Sequence, residues 1–125
     1  MKQIVNTPNA PAPIGPYSQA VKVGSTLYVS GQVAINPATG ELVLDSIPTE
    51  TKQVMENLKA VLTEGGATFD NIVMTTIFLA DMGSFAAVNE VYGSYFTADF
   101  PASATVAVKT LPKNVNVEIA VIAHI

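Results

Sequence analysis

In the segment SIPTETKQVMENLKAVLTEGG, Val54, Leu58, Val61 and Leu62 recur at i, i+4, i+7 and i+8. One apolar stripe at that spacing predicts an amphipathic helix. Pro48 suits its first turn, and Gly65-Gly66 ends it. A second helix is predicted over GSFAAVNEVYGSYF, with Ser84 as its N-cap and Phe85, Val88, Val91, Tyr92, Tyr95 and Phe96 as its apolar face. Elsewhere the pattern is β-like. YSQAVKVGSTLYVSGQVAI holds two short runs split by Gly24-Ser25, a hairpin signal. Gly31 interrupts the second run, which marks a bulge or a close approach to the backbone. NPATGELV reads as a turn. NIVMTTIFLADM is too apolar for a half-exposed strand and predicts a central one. The Pro-rich NTPNAPAPIGPY predicts an extended arm leading to Tyr17. FPASATVAVKTLPKNVNVEIAVIAHI reads as two strands around a short turn, a terminal hairpin.

This order, ββ and then βαβαββ once the N-terminal arm contributes a strand, predicts an α+β two-layer fold. A mixed sheet carries both helices on one face, in a single domain over residues 1–125. Each helix has one apolar stripe, so the other face of the sheet is left for a partner.

Composition sharpens that expectation. Hydrophobic residues make up 49% of the 125 positions and charged residues only 13%, against a usual value of about 25%. So few charges cannot cover a small domain, which points to a subunit interface. The net charge is −4, and all six basic residues are Lys. Nucleic-acid affinity comes mainly from cations on phosphates, so neither nucleic acid nor an anionic membrane is an expected partner. No Cys is present, which removes disulfides, thiol catalysis and Cys-based zinc sites and suits a cytoplasmic protein. With one His, His124 near the chain end, a metal site is not expected. No signal-peptide run and no stretch of about 18 apolar residues is found.

One residue breaks the apolar C-terminal pattern. Strand residues alternate faces, so Glu118 shares a face with Ala120 and Ile122. A carboxylate there is costly unless bonded or solvated. From pattern alone the solvated edge residue is the leading reading, with a working acid as its rival. A terminal hairpin would put Thr105 on the same face.

The motifs IGPYSQA, YVSGQVAINPATGE, TTIFLADMGSFAAVNEVYGSYF, FPA and LPKNVNVEIAVIA resemble, at these spacings and over essentially the whole chain, the Rid family of YjgF-like reactive intermediate deaminases. The resemblance implies a chorismate-mutase-like fold assembled as a homotrimer, with clefts between neighbouring subunits. It implies a small-molecule substrate, 2-aminoacrylate or the derived 2-imino acids released by pyridoxal-phosphate-dependent dehydratases, hydrolysed to a 2-keto acid and ammonia without metal or organic cofactor. Residue by residue, it makes Tyr17 the ring at the pocket mouth and Gly31 the glycine whose backbone approaches the ligand. Asn89 becomes a polar residue beside the cleft, and Glu118 the carboxylate that holds and polarises the attacking water.

One position departs. Active members read PAR where this chain reads PAS, so Ser103 stands in place of the Arg that forks onto the substrate carboxylate; Ala104 and Thr105 follow where Ser-Cys is usual. A hydrogen bond to a charged group is worth roughly 1.5–3 kcal/mol and the fork makes two. Its loss predicts about ten- to a thousandfold weaker handling of a carboxylate substrate. Lys109 shares strand parity with Ser103 but lies about 20 Å away along an extended chain. Three readings therefore stand side by side. One is a retuned deaminase using Glu118, Tyr17, Gly31, Asn89, Ser103 and Thr105. A second is a non-catalytic trimer binding a small metabolite or a protein in the same cleft. The third is a hydrolase for an uncharged substrate.

Overall fold

The computed structural model describes residues 1–125. Its strands are β1 (Lys2–Val5), β2 (Ala20–Val23), β3 (Thr26–Gln32), β4 (Ile72–Leu79), β5 (Ala102–Ala107) and β6 (Val117–His124), and its helices are α1 (Ile47–Glu64) and α2 (Phe85–Gly93). All six strands join one sheet in the order β1-β2-β3-β6-β4-β5. Only β4 and β5 run parallel, so the sheet is mixed.

The predicted α1 stripe forms as expected: Val54, Leu58, Val61 and Leu62 are all buried. Ser46 caps the helix, its Oγ accepting from the Thr49 N–H at 3.2 Å. At the other end Gly66 takes a φ of 83°, where a side chain would be strained. β2 and β3 form the predicted hairpin, with Gly24 at φ 59° in the two-residue turn. On β6, Val117, Ile119, Val121 and Ala123 face the helices and join a core cluster of 22 buried residues. Glu118, Ala120 and Ile122 face the other way. With Tyr28, Met74 and Phe78 beside them in register, they form a sheet face that no helix covers. Tyr28 is 50% exposed there.

Two expectations need correction. The terminal hairpin does not form: β5 pairs with β4, and β6 lies between β3 and β4. β6 is the more apolar strand and takes the centre, where both edges and one face are buried. β5, built of small residues, takes the edge beyond β4 and is mostly exposed. Residues 108–116 carry the chain across, anchored by Val108 N–H donating to Leu79 O at 2.8 Å. The second correction is the start of α2. Ser84 already has helical angles and makes no side-chain cap. Asp81 caps instead, accepting from the Gly83 N–H at 2.8 Å, so the helix begins through a 3₁₀ lead-in. Val88, Tyr92 and Phe96 are buried as expected, whereas Phe85 is exposed.

Candidate functional site

The hairpin correction moves Thr105. The register sets Ser103 beside Thr75 and Thr105 beside Ile77, both on the helix side of the sheet. Glu118 lies beside Phe78 on the opposite side. Within one chain, Glu118 and Thr105 therefore do not share a face.

Glu118 instead belongs to a cavity of about 420 Å³ at the β3 end of the open face. That volume lies within the usual range for small-molecule sites, about 300–1,000 Å³. Tyr17, Ser30, Gly31, Ile35 and Lys113 line it with Glu118. Of the residues expected from sequence, the cavity brings together Tyr17, Gly31 and Glu118. Asn89 is exposed on α2, and Ser103 is exposed on the β5 edge with Thr105 partly covered beside it; none of the three lines the cavity.

Each wall has a local cause. The β3–β6 register slips between Val29 and Gln32. Ser30 and Gly31 there oppose the single residue Ala120, which is a bulge. The bulge brings the Gly31 backbone under the Glu118 carboxylate: a Cβ on Gly31 would stand 2.8 Å from the Glu118 carboxyl carbon. Gly31 is thus both the bulge and the close approach its sequence position announces, and what approaches within the chain is Glu118 itself. Burial pushes the Glu118 carboxyl above its ordinary value. Such a group takes up a proton more readily than a solvated carboxylate.

The Pro-rich arm forms the second wall, held by Gln19. Its Oε1 accepts from Thr7 N–H at 2.7 Å, and its Nε2 donates to Thr7 O at 3.0 Å and Pro11 O at 2.9 Å. Tyr17 is half-exposed at the mouth, its phenol oxygen 3.4 Å from the Ile14 N–H. Asn57, buried on α1, holds the third wall by donating to Val33 O at 3.0 Å and Ile35 O at 2.9 Å. Glu50, fully buried, fixes the entry to β6: it accepts from Asn116 N–H at 2.7 Å, Asn116 Nδ2 at 2.8 Å and Val117 N–H at 3.1 Å. Glu118 follows directly on that anchored pair. Sequence reasoning passed over Gln19, Asn57, Glu50 and Lys113. Gln19 lay inside a quoted motif, but nothing in the pattern separates a polar residue buried against backbone from a solvated one.

The comparisons with known proteins decide the family. The Endoribonuclease L-PSP family matches residues 7–125. The chain belongs to this family, the Rid or YjgF family. The mouse 2-iminobutanoate/2-iminopropanoate deaminase is 46% identical over 123 residues, 98% of this chain and 91% of that protein. The solved Rid-family protein YyfA of Yersinia pestis superposes with a TM-score of 0.97 at 48% identity, covering all of both chains. E. coli TdcF, solved with bound serine, gives a TM-score of 0.94 at 38% identity over 98% of each chain. The Rid fold, two helices on one face of a six-stranded mixed sheet, is therefore this chain's fold. Some members of the family are named imine deaminases; others carry no stated activity. No helix is long and apolar enough to cross a membrane.

Proposed function

We propose that this protein is a Rid-type deaminase hydrolysing short 2-imino acids. The observation that carries the reading is a half-buried carboxylate, Glu118, pushed up by its burial and packed over Gly31 in a cavity sized for a small metabolite. The naming of the mouse relative supports the substrate class, and the serine bound to E. coli TdcF supports a small amino-acid-like ligand.

2-Aminoacrylate tautomerises to 2-iminopropanoate, whose C=N carbon is electrophilic. Glu118 accepts a proton from a water as that water attacks this carbon. Glu118 returns that proton to nitrogen to give the carbinolamine; the hydroxyl proton then passes through Glu118 to the amine, ammonia leaves, and the C–O bond becomes the carbonyl of pyruvate. The balance is imine plus water to keto acid plus ammonia, and Glu118 is regenerated. Gly31 leaves room for the carboxylate, and the Tyr17 ring screens the mouth.

The exposed apolar sheet face and the charge-poor surface support a homotrimer. In that assembly the β5 edge of a neighbour, with Ser103 and Thr105, and Asn89 of its α2 complete the cleft. Ser103 in place of a cation favours one competing reading, a trimer that binds a metabolite without turning it over. The test is ammonia release from freshly generated 2-aminoacrylate with and without protein, together with the solution mass. Accelerated release by a species of three chains supports the proposal. Release at the buffer rate, with tight 2-keto acid binding, leaves the binding module.

A further inference from the structure

We propose that Lys113 is the cation that holds the substrate carboxylate in the Glu118 cavity, a task that Ser103 cannot perform. This rests on the deaminase reading for the identity of the substrate, but the binding role stands on the cavity itself.

Of the residues lining the cavity, two are charged: Lys113 and Glu118. They do not neutralise each other. Burial, and no facing cation, is what shifts Glu118, and the Lys113 side chain is exposed rather than folded down onto the carboxylate. The Lys113 charge is therefore free to meet a ligand. Within one chain no other cation lines the cavity: there is no Arg, Lys109 is not part of it, and Ser103, on the far edge of the sheet, reaches a cleft only from a neighbour and carries no charge.

The backbone supplies a second observation. Lys113 sits at φ 56° and ψ 21°, and Asn114 at φ 56°. The left-handed region is ordinary for Asn but unfavourable for a long side chain. Strain of this kind persists where the surroundings enforce it, and it gathers at ligand sites. Here the turn is clamped between buried Leu111 and Val115, with Asn114 N–H donating to Leu111 O at 3.0 Å and Val115 N–H to Pro112 O at 3.3 Å. Pro112 lines the cavity next to Lys113. The enforced turn sets the lysine at the cavity wall, five residues before Glu118 on β6.

The two charges match the two ends of a 2-imino acid. The Lys113 ammonium meets the carboxylate; Glu118 meets the water that attacks the imine carbon. An ammonium is a point charge with rotatable donors, whereas a guanidinium is a planar fork. Recognition through Lys113 is therefore looser in geometry, and short 2-keto and 2-imino monocarboxylates of differing side chain are accepted alike. Because Lys113 is exposed at the mouth, the attraction is screened by salt.

Lys113→Gly is the informative variant. Glycine takes φ 56° without steric cost, so it removes the ammonium while relieving the backbone. Binding of 2-oxobutanoate and of its uncharged methyl ester is measured by NMR titration at low and high salt, beside imine hydrolysis by the same samples. Lys113→Gly should weaken the keto acid about tenfold, the size of one charge-assisted hydrogen bond, leave the ester unchanged and abolish the salt dependence. Thermal stability should hold or rise. Lys113→Gln should show the same loss, and Lys113→Arg should stay within a few fold of the parent. Unchanged 2-oxobutanoate binding in Lys113→Gly overturns the assignment, as does parent protein that binds no keto acid. A parent that binds 2-oxobutanoate through Lys113 but hydrolyses no imine overturns the deaminase reading and leaves Lys113 in place. Hydrolysis with an unchanged KM in Lys113→Gly does the reverse.

Discussion

Gly31→Ala should switch off the site while leaving the fold intact. Gly31 does not have a positive φ, so alanine suits its backbone. The new Cβ would stand 2.8 Å from Glu118 Cδ and 3.1 Å from Cγ, with the carboxylate oxygen overlapping it outright. Every atom in the way belongs to the outer part of one flexible side chain, so the inexpensive response is rotation of Glu118 off Gly31. That rotation costs about 0.5–1.5 kcal/mol if it leaves a rotamer well. Losing glycine's freedom in the unfolded chain returns about 0.4–1 kcal/mol. The sum lies within about 1 kcal/mol of zero, a shift in Tm of no more than about 5 °C. Activity should fall about a hundredfold or more, the usual contribution of a positioned base. Gly65→Ala is the control: its Cβ would meet buried Leu27 Cδ2 at 2.6 Å, so it should lower Tm without touching the chemistry. The assay pairs thermal denaturation with initial rates of 2-keto acid formation. A Gly31→Ala protein with native Tm and activity within threefold of the parent refutes the coupling of Gly31 to Glu118. A Tm loss above about 10 °C would show that the backbone, and not the Glu118 side chain, had yielded.

Other outcomes follow from the same geometry. Burial raises the Glu118 pKa, so the stability linked to its protonated form is complete below the ordinary carboxylate range and is lost as pH rises through the folded pKa. Glu118→Gln should therefore raise Tm relative to the parent at pH 7.5 but not at pH 4, and equal differences at both would contradict the linkage. Glu50→Ala strands the Asn116 and Val117 N–H groups in the interior; at about 1–3 kcal/mol for each orphan, urea unfolding should show a loss of roughly 3–5 kcal/mol, and a loss under about 1 kcal/mol would remove Glu50 as the anchor of β6. Ser103→Arg adds a fork at the exposed β5 edge and should raise turnover of 2-imino acids only while the oligomer persists; a gain in a monomeric preparation would place Ser103 wrongly.

Much of the fold could be read from periodicity. The α1 stripe, the Gly24 hairpin and the bulge at Gly31 are local signals, and each appears where the sequence put it. The pairing of β5 with β4 could not be read, because strand partnership is non-local and the near-adjacent β5 and β6 mimic a hairpin. What separates them is position: the apolar Val117–His124 competes better for the centre than Ala102–Ala107. In the site, Glu118 announced itself as a lone acid in an apolar strand. Glu50 did not, since an acid in the first turn of a helix reads as a favourable charge at its N-terminus. Lys113 was hidden in the same way, within a turn where lysine is ordinarily solvated.

The most direct test of the central claim is the initial rate of 2-keto acid formation from 2-iminobutanoate with the parent protein and with Glu118→Gln, at equal concentration and pH. The account predicts a rate well above buffer for the parent and a fall of about a hundredfold or more for the variant. Equal rates for the two proteins, whether both fast or both at the buffer rate, would contradict it.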